Sequence, residues 1–113
     1  MPIYTEGMAR LQDKDEYADR VDDDRKVFVA VGKNLHEART KARTKGGEVV
    51  TFDWLSKVTT LHHSSIRRFE KGEVGMTVAN LVRLKDALGC SWNDLLEGCA
   101  SGIVKARRSH LRK

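Results

Sequence analysis

Phe28, Val31, Leu35, Ala38 and Ala42 recur at intervals of three and four residues, the spacing that gathers side chains on one face of a helix. Lys33, Glu37, Lys41 and Lys45 fall on the opposite face. Asp23 and Asp24 suit the positive end of a helix dipole. The pattern therefore predicts a helix from there to Gly46-Gly47, where glycine accepts the left-handed conformation of a C-cap. Thr51 then offers its hydroxyl as the N-cap of a helix of about two turns running through Val58. After Thr59-Thr60-Leu61, a third helix is expected from about His63 to Lys71, with Ile66 and Phe69 inward and Gly72 as its terminator. Thr77 caps a fourth helix carrying Val78, Leu81, Val82, Leu84 and Leu88, which Gly89 ends. Ser91 and Asp94 have the spacing of a capping box and open a short fifth helix through Leu95 and Leu96 to Gly98. The expected fold is all-α, a compact bundle of five helices joined by connections of a few residues.

The chain of 113 residues is long enough for one such domain and too short for two ordinary ones. Its charge divides unevenly. Residues 1–24 hold eight acids against Arg10, Lys14 and Arg20, and with few apolar side chains they read as a mobile acidic arm that could dock on a protein partner. Residues 25–99 form the helical domain, with thirteen bases and eight acids. Residues 100–113 carry Lys105, Arg107, Arg108, Arg112 and Lys113 with no acid, a basic tail expected to lack order without a partner. The net charge of +5 points to a polyanion as partner. Cys90 and Cys99 lack the spacing of a redox pair or a zinc knuckle, and the four histidines show no ligand spacing to them, so reduced thiols, no metal and no cofactor are expected. No apolar run suits a signal peptide or a membrane span, which points to a cytoplasmic protein. No nucleophile with its base and no paired carboxylates emerge, so an enzyme is not expected.

The run from Leu55 to Gly72, LSKVTTLHHSSIRRFEKG, resembles the core of the Cro and phage-repressor (XRE) helix-turn-helix family. That family's pattern is roughly Leu-Ala, three residues, a Gly-aliphatic-Ser turn, three residues, Ile, two residues, then aliphatic-Glu-x-Gly. Ile66 and Phe69-Glu70-Lys71-Gly72 are the most specific match, and the likeness extends over about residues 30–97. It implies a lambda-repressor-like domain whose third helix enters the major groove. By alignment, base edges would be met by His62, His63, Ser64, Arg67 and Arg68, with Arg68 favoured. Phosphates would be held by Lys71 and Thr77, by backbone N–H groups of Thr51 and Phe52 at the start of the second helix, and by Lys105, Arg107 and Arg108 of the tail. The family pairs the glutamate corresponding to Glu70 with an arginine of the first helix, for which Arg39 is the candidate. Leu61 would pin the turn, and Ser56 stands where the family has a small alanine.

Three departures stand beside these matches. Phe52 replaces a glutamine that braces the recognition helix, Thr60 replaces the turn glycine, and several extra residues separate Arg39 from Thr51. The resemblance implies a sequence-specific transcriptional regulator, a repressor acting as a homodimer on a palindromic operator in a bacterium or phage host. The alternative is an antitoxin that binds its own operator and neutralises a partner through a terminal segment.

Overall fold

No glycine or proline interrupts the chain between Lys14 and Val31, and the first helix runs through that whole stretch. The computed structural model describes residues 14–102; Lys105, Arg107 and Arg108 lie outside them. Helix α1 spans Lys14–Lys41, so residues 14–24, expected in a loose acidic arm, are its first turns. Within them Asp22 pairs with Lys26 one turn on, at 3.5 Å.

The helix also ends sooner than Gly46-Gly47. Arg43 turns its guanidinium back onto the carbonyl oxygens of Thr40 and Ala42, both at 2.7 Å. It then pairs with Val49 in a single antiparallel bridge around a turn in which Gly47 takes a φ of 82°. The extra residues after Arg39 thus form a minimal hairpin, and the chain leaves it at Val50, which is fully buried.

Helix α2, Phe52–Thr59, starts from Thr51, whose hydroxyl accepts from the Trp54 N–H at 3.1 Å. Helix α3, His63–Glu70, follows after only Thr60, Leu61 and His62. Thr60 takes the left-handed conformation, φ 63° and ψ 12°, that the family reserves for glycine. Three hydroxyls bond within this turn, that of Thr60 by donating to the Thr59 carbonyl. Ser56 Oγ donates to the Leu61 carbonyl, and Thr59 Oγ1 donates to the Leu55 carbonyl while accepting from the Leu61 N–H.

A β-branched residue in this conformation costs about 1–2 kcal/mol, against which glycine would lose about 0.5–1 kcal/mol in unfolded-chain entropy. Because Thr60 is exposed, Thr60→Gly is expected to stabilise the protein slightly, by about 0.5–1 kcal/mol. A thermal melt should show a midpoint raised by a few degrees. A lowered midpoint would mean that the threonine side chain does more than tolerate the turn.

Helix α4, Val78–Leu88, is capped by Thr77 and closed by Gly89 at φ 65°. Helix α5, Trp92–Leu96, opens on the capping box: Asp94 N–H to Ser91 Oγ at 3.0 Å and Ser91 N–H to the Asp94 carboxylate at 2.9 Å. The bonds from the Ser91 backbone and side chain hold the Asp94 carboxyl below its ordinary pKa. A 3₁₀ turn, Cys99–Gly102, completes the described residues. This is an all-α domain of five helices.

Leu35, Val50, Leu55, Ile66, Phe69, Leu84 and Leu95 form the core, with one or two side chains drawn from α1 and each element after it. Helix α1 is the spine that α3 and α5 pack on, and Asn34 Nδ2 ties it to the end of α5 through the carbonyls of Leu95 and Glu97. Cys90 and Cys99 are free thiols, and burial raises the pKa of both. No helix among the described residues is long and apolar enough to cross a membrane.

Candidate nucleic-acid interface

Helix α3 has one face fixed and one face free. Inward, Ile66 and Phe69 are buried against α1, α2 and α4 residues of the core. Their backbone approaches α1 closely at Gly32, where a Cβ would stand 2.3 Å from the Phe69 carbonyl oxygen. Gly72 repeats the device one residue beyond the C-cap: it has φ 72°, and a Cβ there would stand 2.7 Å from Val29 Cα. The backbone thus reverses out of α3 directly against α1.

Glu70 supplies the polar half of this attachment. Its carboxylate takes both Nε and Nη2 of Arg39, at 2.5 and 3.1 Å, and His36 Nδ1 at 2.9 Å. The remaining Arg39 nitrogen donates to the Val50 carbonyl at 3.0 Å. The expected ion pair is therefore present and is nearly enclosed, with side chains 11% and 6% exposed. Arg39 also lies 4.1 Å from the centroid of the Phe52 ring, and Arg67 lies over the same ring at 5.1 Å. Phe52 does not hydrogen-bond as the family's glutamine does, but it braces α3 by another route. Its ring joins α1 and α3 through cation–π contacts.

Outward, His63, Ser64, Arg67, Arg68 and Lys71 are all exposed, at the i, i+1, i+4, i+5, i+8 spacing of one helical face. His62 precedes them as the N-cap. Its Nδ1 accepts the Ser64 N–H at 3.2 Å and lies 2.7 Å from Ser64 Oγ, and its ring stacks on that of His63 at 4.4 Å. Arg68 is held only by an exposed pairing with Glu73 at 3.5 Å. A pair of that kind contributes about 0–1 kcal/mol, so a base or phosphate can displace it.

The structure gathers His62, His63, Ser64, Arg67, Arg68 and Lys71 on this surface; Thr51 and Thr77 are caps of neighbouring helices, and both are exposed. The first-turn amides of α2 have no intrahelical acceptor, but Asp53 stands exposed beside them and opposes an anion there. The Phe52 side chain belongs to the brace, so any phosphate contact by that residue would be through its backbone.

The sequence reading did not single out Gly32, His36 or Val50. Gly32 carried a signal, since a glycine inside a helical apolar pattern costs about 1 kcal/mol and implies a packing reason. Val50 looked like part of an inserted loop. His36 gave no sign, because its partner Glu70 is distant in sequence.

Among the described residues, no group of three or more His, Cys, Asp or Glu side chains could hold a metal ion. Comparison with protein-family models, with characterised proteins and with solved structures gave no match.

Proposed function

We propose that this chain is a sequence-specific DNA-binding transcriptional regulator of the Cro and phage-repressor type, acting as a repressor that reads the major groove with α3. One observation carries the reading. A helix anchored on one side by Ile66, Phe69 and Glu70 presents a separate exposed face of His63, Ser64, Arg68 and Lys71, and Arg67, exposed as well, also lies over the Phe52 ring. Three fixed positive charges on one short exposed face suit a groove lined with phosphates and base acceptors. Lys71 follows the helix where phosphate would be reached, and Lys105, Arg107 and Arg108, in the tail outside the described residues, would add affinity without sequence choice.

A homodimer doubles the short readout by matching two half-sites about 34 Å apart. Val78 and Val82 leave one face of α4 apolar, 75% and 43% exposed. Lys85, farther along that helix, lies over Trp92, and Leu96 follows on α5 at 43% exposure. These side chains offer a second copy an apolar surface away from α3. The antitoxin alternative would use the acidic N-terminal segment to grip a toxin. Residues 14–24 are helix already, which leaves less chain to fold upon a partner.

The test compares Arg67→Ala and Arg68→Ala on a panel of duplexes. Loss of a bidentate arginine–guanine contact costs about 1–3 kcal/mol at one base pair and relaxes preference there. Arg68→Ala is expected to show this loss. A loss equal across all sequences, with a shallower salt dependence, would assign that arginine to phosphate. No salt-sensitive binding by the unaltered chain would refute the reading.

A further inference from the structure

Resting on that reading, the bonds around His62 bear on which base the helix meets first. The Ser64 backbone N–H can only donate, so His62 Nδ1, 3.2 Å away, must accept. Its tautomer is therefore fixed: the lone pair of Nδ1 faces the helix, and Nε2 bears the hydrogen. The Ser64 hydroxyl, 2.7 Å from the same nitrogen, turns its own hydrogen toward it. The His63 ring, stacked at 4.4 Å with 28° between the planes, covers one side of the imidazole and holds its orientation. An exposed histidine has two tautomers to offer a base, but this one has been reduced to a donor.

The neighbours point the same way. Arg67, Arg68 and Lys71 have donors and no acceptors. Among the carboxylates and amides nearby, Glu70 is engaged by Arg39 and His36 and Asn80 Oδ1 by Arg83 at 2.8 Å, so the acceptors left on the face are Ser64 Oγ, the His63 ring and, once Arg68 leaves it, Glu73. Residues 62–71 contain no asparagine or glutamine to pair with adenine. Guanine alone shows two adjacent acceptors, O6 and N7, in the major groove, which suits a face where the donors of His62, Arg67, Arg68 and Lys71 outnumber its acceptors.

We infer that His62 is a specificity-determining residue that donates from Nε2 to a guanine acceptor edge, and that the half-site is built on guanines read by His62 and an arginine of α3. Selection of bound duplexes from a random library, followed by 7-deazaguanine replacement at each selected guanine, tests this. His62→Asn is the companion variant, because asparagine keeps the N-cap bond but is too short to carry the donor outward.

Guanines should recur in each half-site. Removing N7 at one of them should weaken the unaltered protein about ten-fold, and His62→Asn should abolish that sensitivity while its melting curve stays close to the parent's. Selected half-sites without guanine, or affinity indifferent to N7 at every guanine, would overturn the inference and leave major-groove reading intact. So would a His62→Asn variant that loses affinity equally for all sequences with a shallower salt slope, which would place His62 on phosphate. If the library yields no bound duplex, the proposed function fails, and the inference fails with it.

Discussion

Glu70→Ala is expected to lower the free energy of unfolding by about 3–5 kcal/mol, a large share of what a domain this size has. The substitution does not simply delete a bond. It leaves the Arg39 guanidinium, in a side chain only 11% exposed, with the Val50 carbonyl, the Phe52 ring and His36 Nδ1 at 3.4 Å as neighbours and no counter-ion. A buried charge without its counter-ion costs far more than the intact pair contributes. The double substitution Arg39→Met with Glu70→Leu should therefore recover most of the loss, because it removes both charges and keeps the volume. His36→Ala should cost little, since the His36 side chain is 55% exposed. Urea denaturation of the single and double variants gives the coupling between the two residues directly. A loss below about 1 kcal/mol for Glu70→Ala would show that the pair is solvent-screened after all.

That ion pair also marks how far the sequence could be read. Arg39 and Glu70 are 31 residues apart, and nothing in local spacing joins them; only the family pattern suggested the pairing. Periodicity placed Leu35, Ile66, Phe69 and Leu84 because each is a core position within a regular helix. It gave the caps Thr51, Thr77 and Ser91 for the same local reason. The start of α1 was misjudged because residues 14–24 lack an apolar stripe. Helix formation there follows from the absence of breakers and from i,i+4 pairing such as that of Asp22 with Lys26, which a search for buried faces does not register. The end of α1 was misjudged for the opposite reason. A glycine pair marks a stop, but Arg43 stopped the helix earlier by capping its carbonyls with a side chain. On the exposed face of α3, residue types showed which groups could donate or accept a hydrogen bond. Which atoms remain available depends on bonds such as His62 to the Ser64 amide, and those require the coordinates.

Gly32→Ala should cost about 3 kcal/mol although alanine is the better helix former by about 1 kcal/mol. The added Cβ would lie 2.3 Å from the Phe69 carbonyl oxygen, 2.7 Å from that of Glu70 and 3.0 Å from the Glu70 carbonyl carbon. All three are backbone atoms, so no rotamer change can clear them. Helices α1 and α3 must move apart until the contact reaches the ordinary 3.4–4 Å. That movement opens the packing of Phe69 and stretches the bonds from Glu70 to Arg39, which are already at hydrogen-bonding distance. Lys33→Ala, next along the chain and exposed, is the control expected to be nearly neutral. If Gly32→Ala instead raised stability by about 1 kcal/mol, helix propensity would govern the site and the close approach of the two helices would be refuted. The functional consequence can be read separately, at a temperature where the variant remains folded. Because α3 is positioned by this contact, its tilt against α1 must change even in the surviving folded molecules. Under the proposed function, discrimination between cognate and random duplex should then fall, while the salt-dependent binding that any basic surface gives persists.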